Sequence, residues 1–169
     1  MVEGLGCSNA RLRVHMGNRP PLMPFTEPDG VMPLLDGDIA RISQAGGNGW
    51  RKLFSVYAKL VWALPDRPVA ARPWSRWQDY RDGALLQPGS DTALLFSDPT
   101  PSPQGVQLLM GKSFGLAATG RAGIPLCWLD AHFAVSPDKR TIVCPYFDYR
   151  QLTNARIDTL VTLMRSLHH

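Results

Sequence analysis

The chain has 169 residues, of which 44% are hydrophobic and 19% charged; these proportions exclude a disordered protein and fit one globular domain over residues 1–169. Its 18 lysines and arginines outnumber 14 acidic residues and give a net charge of +4, which suits an anionic partner without requiring one. No apolar run approaches the roughly 20 residues that a membrane span needs, so we expect no membrane partner.

Cysteine usage indicates a reducing compartment. The cysteines, Cys7, Cys127 and Cys144, are odd in number and far apart, which favours free thiols over a disulfide framework. The start of the chain lacks the basic residues and apolar stretch of a secretion signal. No cysteine and histidine stand at the spacing of a zinc site. We therefore expect a cytoplasmic protein without a metal or a cofactor.

The first half of the chain predicts one strand and two helices. Residues 12–16 form a short apolar strand, and the Gly-Asn-Arg-Pro-Pro run that follows forces a turn. A short helix begins near Asp38 and is ended by a glycine pair. Apolar side chains then recur at steps of three and four over residues 50–64, which predicts a longer helix that Pro65 ends.

The second half predicts a sheet covered by helices. Residues 92–96 and 106–110 are continuous apolar strands, the type found in parallel sheets that are buried on both faces. Residues 126–135 and 140–144 flank a Ser-Pro-Asp-Lys turn and predict a β-hairpin, and Thr153 or Asn154 caps a last helix. We expect a three-layer α/β/α fold with a mainly parallel central sheet and a C-terminal hairpin–helix unit.

Polar residues gather where the predicted strands are followed by helices. In an open parallel α/β sheet, ligands bind outside the carboxyl ends of the strands. If these strand exits share one edge of the sheet, their polar residues form a mixed-charge binding cleft. The residues that predict this cleft are Asn18, Asp98, Lys112, Ser113, Asp148 and Arg150. Alternatively, Asp148 and Arg150 pair with each other and only fix the loop.

Two glycine-containing segments suggest anion binding. Gly111-Lys112-Ser113 is not a Walker loop, because Val106 occupies the position of the first glycine. Lys112 at a helix start could still hold one phosphate or carboxylate, or it could simply be solvated. The glycine-rich residues 46–49 precede a helix that begins Trp-Arg-Lys, and they form either a second anion cradle or an ordinary helix–helix corner.

Two further patterns have both a functional and a structural interpretation. Asp130 and His132 lie two apart on a predicted strand, so they share a face and could orient a general base; otherwise His132 is a core residue. Over residues 67–81, arginines alternate with tryptophans and a tyrosine, as on surfaces that bind single-stranded nucleic acid or a protein. The alternative is that these rings seal a Pro-rich loop onto the core.

Three stretches resemble a small bacterial family of unknown function. They are GGNGWRKLF at residues 46–54, VYAKL at 56–60 and YFDYRQLTN at 146–154. This resemblance implies no activity.

A more distant likeness concerns the uracil-DNA glycosylase superfamily. In that superfamily a strand, Gly-Lys and a helix precede a strand that ends in a His-Pro loop and a final helix, and residues 106–118 and 141–160 resemble that order. Tyr149-Arg150 matches a pair that some divergent members carry, whereas Cys144-Pro145 stands in place of His-Pro. The resemblance implies an α/β fold and leaves enzymatic activity open. The leading hypothesis is a domain that recognises an anion, a nucleotide or a nucleic acid, at the strand exits, and a divergent glycosylase-like protein is one form that it could take. The competing hypothesis is a non-enzymatic protein-interaction module that uses residues 67–81.

Overall fold

A computed structural model of the chain describes residues 2–165 and contains, within them, one eight-stranded sheet and five α-helices. The strands are β1 (Gly4–Gly6), β2 (Leu12–His15), β3 (Val31–Met32), β4 (Thr92–Leu95), β5 (Val106–Met110), β6 (Cys127–Trp128), β7 (Ala134–Val135) and β8 (Thr141–Cys144). The helices are α1 (Asp38–Gly46), α2 (Asn48–Ala63), α3 (Trp77–Gly83), α4 (Lys112–Ala122) and α5 (Asn154–Arg165). The predicted α/β class is confirmed.

The sheet is mixed, and its central strands are parallel. The strand order is β3-β1-β4-β2-β5-β8-β7-β6, in which β4, β2, β5 and β8 are neighbours that run in the same direction. At the two margins β1 runs antiparallel to β4, and β7 runs antiparallel to β8. Four parallel strands therefore place their carboxyl ends side by side at one edge.

Helices cover both faces of the sheet. On one face Val14, Leu108 and Ile142 belong to a core that includes the apolar stripe of α2 and the inner face of α5. On the other face α4 packs on β5 and β8, where Ala118 meets Leu109. The close approach requires a glycine at position 115, because a Cβ there would stand 2.6 Å from Val143 Cγ1. These layers give the three-layer arrangement that the sequence predicts.

The predicted hairpin is only partly correct. β7 pairs with β8 as expected, but the single strand predicted over residues 126–135 is interrupted between β6 and β7. The Asp130 carboxylate accepts the backbone N–H groups of His132 and Phe133 at 2.7 and 2.9 Å, which folds this segment into a turn. Asp130 and His132 therefore do not share a strand face as predicted, and His132 is exposed rather than a core residue.

Two marginal strands, β1 and β3, are additions to the predicted elements. β1 can lie close against β4 because it carries glycines: a Cβ on Gly6, whose φ is +108°, would stand 2.3 Å from the Thr92 carbonyl oxygen.

The three cysteines are free thiols, as the sequence predicts. Over residues 2–165 no helix has the length and apolar character that a membrane crossing requires.

Candidate functional site

The carboxyl ends of the parallel strands meet the beginnings of three helices. α4 starts directly after β5, and α5 starts after the loop that leaves β8. α2 begins at the same edge, since Lys52 in its first turns lies 3.9 Å from Asp148 in the loop after β8. Each helix N-terminus carries a partial positive charge. We call this region the exit edge, and its backbone geometry alone makes it electropositive.

The exits of β2, β5 and β8 are in contact with one another. A Cβ on Gly17 would stand 3.2 Å from the Phe114 ring of α4, and one on Gly111 would stand 3.9 Å from the Tyr146 ring. Burial raises the pKa of Tyr146, and an interaction with the side chain of Asn18 opposes that rise. Asn18 and Gly111, 93 positions apart in the sequence, thus lie next to the same tyrosine.

The loop after β8 is held by Asp148. Its carboxylate accepts the backbone N–H of Arg150 at 2.8 Å, and its other oxygen lies 3.9 Å from the Lys52 ammonium. Lys52 also stands 4.8 Å from the centroid of the Tyr149 ring. Asp148 therefore orders the loop through the Arg150 backbone and leaves the guanidinium of Arg150 outside this arrangement.

Three predicted site residues are exposed and uncommitted. Lys112 lies 4.9 Å above the Trp128 ring, and Ser113 follows it in the first turn of α4. Within the described part of the chain, the Ser113 hydroxyl and the Arg150 guanidinium have no hydrogen-bonded partner. α4 starts after Gly111 without a side-chain cap from those residues, so the N–H groups of its first turn are free to bind a ligand.

Asp98 is engaged elsewhere. Its carboxylate forms two hydrogen bonds with Arg121, at 2.8 and 2.9 Å, and this pairing lowers the pKa of Asp98. Arg121 lies in the last turn of α4, about 13 Å along the helix axis from Lys112 at the usual helical rise. Asp98 follows β4, whose carboxyl end lies at the exit edge, and the preceding Ser97 contacts His15 at the end of β2, but within residues 2–165 its carboxylate pairs with Arg121 and with none of the other five predicted residues.

A buried histidine at the end of β2 is an addition to the predicted residues. Since a carbonyl can only accept, His15 donates its Nδ1–H to the Ser97 carbonyl at 2.8 Å, and Nε2 becomes the acceptor. Nε2 is buried and has no hydrogen-bond partner among residues 2–165. Burial lowers the pKa of His15, so the ring is neutral at neutral pH. Nothing in its local sequence distinguishes it from an ordinary strand residue.

The glycine-rich start of α2 joins the exit edge. α2 begins after Gly47 without a side-chain cap from the described residues, and Lys52 reaches the loop after β8. The two anion-binding hypotheses, residues 46–52 and the strand exits, therefore concern one region. Lys52 was missing from the six predicted residues because only the fold brings it to Asp148.

The tryptophan and arginine loop packs onto the protein. Trp74 and Trp77 lie against the main core, and Tyr80 is fully buried. The Arg67 guanidinium stacks 3.8 Å from the Trp62 ring centroid, and Arg81 forms hydrogen bonds with Asp82 at 2.9 and 3.1 Å. These contacts match the interpretation in which the rings seal the loop.

Two cavities lie outside the strand exits, and the second adjoins the start of α2 through Arg51. One, of about 200 Å³, is bounded by Arg11, Leu64 and Val106 at the amino ends of the strands. The other, of about 570 Å³, lies between α1, α2 and α3. Neither is lined by any of the six predicted residues.

A family model matches residues 3–165. The chain belongs to DUF6942, a family of unknown function. No curated protein and no solved structure matches it. The resemblance to a family of unknown function is therefore confirmed for this DUF6942 chain, and the likeness to the uracil-DNA glycosylase superfamily gains no support from these comparisons.

Proposed function

We propose that the exit edge binds the phosphate of a nucleotide or a nucleic acid. The observation that carries this proposal is that two helices without side-chain caps from the described residues, α2 and α4, begin at this edge on opposite faces of the sheet, where Lys52, Lys112 and Arg150 also lie. Free backbone N–H groups at a helix start bind phosphate oxygens, and nearby cations add to the attraction. The Asp148 carboxylate, 3.9 Å from the Lys52 ammonium, offsets part of the positive charge of these cations.

Aromatic rings beside these cations suit a ligand with a base. The Tyr149 side chain is 51% exposed, and Trp128 lies under the Lys112 ammonium. Bases stack on flat rings with energies of roughly 1–3 kcal/mol and little sequence preference. A phosphate held at the start of α4 would place an attached base within the region of these rings. This combination favours a nucleotide or single-stranded nucleic acid over an inorganic anion.

The proposal concerns binding without bond cleavage. Cys144, which stands where the glycosylase superfamily carries histidine, is buried, and burial raises the pKa of its thiol to about 12. A neutral, enclosed thiol cannot take over the electrostatic role of a histidine beside a departing base. We therefore propose no glycosylase reaction, and the choice of ligand class rests on the exit edge alone.

Alanine variants of the exposed cations test the proposal. Lys112→Ala and Arg150→Ala are each expected to weaken binding of ATP or a short single-stranded DNA about tenfold, since a hydrogen bond to a charged group contributes roughly 1.5–3 kcal/mol. Titration calorimetry at low salt measures the affinity. Arg76→Ala is the control that removes the same charge outside the exit edge. Arg76 directly precedes α3 and forms an ion pair with Asp79.

The proposal is wrong if Lys112→Ala and Arg150→Ala bind like the parent chain while remaining folded. A loss of binding in Arg76→Ala alone would also contradict it and would favour residues 67–81. The protein-interaction hypothesis for that loop stays a prediction: it expects Trp74→Ala to disrupt a complex recovered from cells and Lys112→Ala to leave it intact.

A further inference from the structure

The cavity of about 200 Å³ lies at the amino ends of the parallel strands, opposite the exit edge. Its walls come from the starts of β2 and β5, the loop that leaves α2 and the last turn of α5. Pockets for drug-sized ligands measure roughly 300–1,000 Å³, so this cavity suits a smaller molecule. It is too small to enclose a nucleotide, and it is therefore separate from the proposed function.

The floor of the cavity is apolar. Leu12 on β2 and Met164 on α5 line it and are each 6% exposed. Leu64 and Val106, which also line it, are partly buried and pack against the same core. The Met164 side chain is unbranched and flexible, so it can adapt to the shape of an apolar ligand. A molecule in this cavity would bury hydrocarbon surface against these four side chains.

The charged residues of the lining leave one cation without a carboxylate. The Arg11 guanidinium lies 2.7 Å from the Asp91 carboxylate, and that of Arg72 lies 3.2 Å from Asp66. Arg67, the third arginine, forms no ion pair within residues 2–165. The lining therefore carries one positive charge in excess, which a ligand with a single negative charge would neutralise.

The Arg67 side chain is held in place by its neighbours. Its Nε–H donates to the Trp62 carbonyl oxygen at 2.8 Å, and its guanidinium stacks 3.8 Å from the centroid of the Trp62 ring. Arg72 Nε donates to the Arg67 carbonyl at 3.0 Å and so fixes the loop. The two terminal nitrogens of Arg67 have no hydrogen-bonded partner among the described residues. A guanidinium that is already ordered in this way binds a carboxylate with little further loss of side-chain freedom.

We propose that this cavity binds a short straight-chain fatty acid, with its carboxylate on the terminal nitrogens of Arg67 and its chain against Leu12 and Met164. The carboxylate supplies the single negative charge that the lining lacks, and the chain covers the apolar floor. A phosphate ester would bring more negative charge than one arginine compensates. An inorganic anion would leave the apolar floor in contact with water.

Titration of the full chain with propanoate, butanoate, pentanoate and hexanoate tests the site without any substitution. Each added methylene that becomes buried is expected to raise the affinity about fourfold. Hexanol has the same chain without the charge, and it is expected to bind about tenfold more weakly than hexanoate. In amide NMR spectra, hexanoate should shift the signals of Arg11, Arg67 and Val106 and leave that of Lys112 unchanged.

Arg67→Gln removes the unpaired charge and is expected to weaken hexanoate binding about tenfold. Lys112→Ala is the control that lowers the net charge equally at the exit edge, and it should leave hexanoate binding unchanged. Circular dichroism confirms that each variant is folded before it is compared.

Three results would each overturn the proposal. They are hexanoate binding in folded Arg67→Gln that equals that of the parent chain, equal affinities for hexanol and hexanoate, and no rise in affinity from propanoate to hexanoate. The absence of saturable hexanoate binding to the parent chain would overturn it as well. Should Arg67→Gln fail to fold, the ligand series on the parent chain decides the question.

Discussion

Replacing Phe147 by alanine is expected to lower the free energy of unfolding by about 3–5 kcal/mol, the usual cost of deleting a buried phenyl ring. Phe147 lies in the loop that leaves β8, where it is fully buried. Its ring meets that of Tyr57 on α2 edge-on, with centroids 5.8 Å apart. The substitution would remove the buried aromatic contact between the loop after β8 and α2, and urea unfolding measures the loss.

Tyr149→Ala is the matched control for this prediction. It deletes an aromatic ring two residues further along the same loop, but the ring is 51% exposed. Surface substitutions of this kind usually change stability by no more than about 0.5 kcal/mol. If Phe147→Ala costs no more than Tyr149→Ala, the loop is not anchored through Phe147 and the exit edge lacks the rigid support described above.

Gly111→Ala is expected to destabilise the fold by about 1–3 kcal/mol and to weaken ligand binding at the exit edge. Gly111 adopts φ +96° and ψ 142°, a conformation that residues with a side chain rarely accept. The strain would be relieved by shifting the first turn of α4, and with it Lys112 and the free N–H groups. Thermal unfolding and calorimetric titration with ATP measure the two effects.

Gly120→Ala in the same helix controls for the added methyl group. No atom lies within 4 Å of the position that its Cβ would occupy, so the change should raise stability by up to about 1 kcal/mol through helix propensity. ATP binding should be unchanged in this variant. Equal stability changes in the two variants would contradict the role assigned to the Gly111 backbone.

The strongest predictions from sequence came from patterns with a direct physical cause. Continuous apolar segments became the central strands β4 and β5, and the repeat of three and four residues became α2. The predicted hairpin strand failed because the Asp130 side chain binds two backbone N–H groups that a ladder would otherwise use. β1 and β3 were not predicted because strands of three and two residues leave no periodicity to detect.

The candidate site was only partly predictable for a different reason. The sequence shows which polar residues follow a strand, but long-range pairing decides which strands are neighbours. The order β4-β2-β5-β8 brings both Asn18 and Gly111 next to Tyr146. Asp98 and Arg121 form an ion pair although they are 23 positions apart, and Lys52 and Asp148 do so at a separation of 96 positions. No local sequence pattern predicts either pair.

The position at which a phosphate binds is the most direct test of the account. Amide NMR spectra of the labelled protein, titrated with ATP at low salt, report this position residue by residue. We predict the largest shifts at Lys112, Ser113 and Phe114 in the first turn of α4, with smaller shifts at the start of α2 and in residues 148–150. Saturable shifts confined to the cavity beside Arg11 and Arg67, or no saturable shifts at any amide, would contradict anion binding at the exit edge.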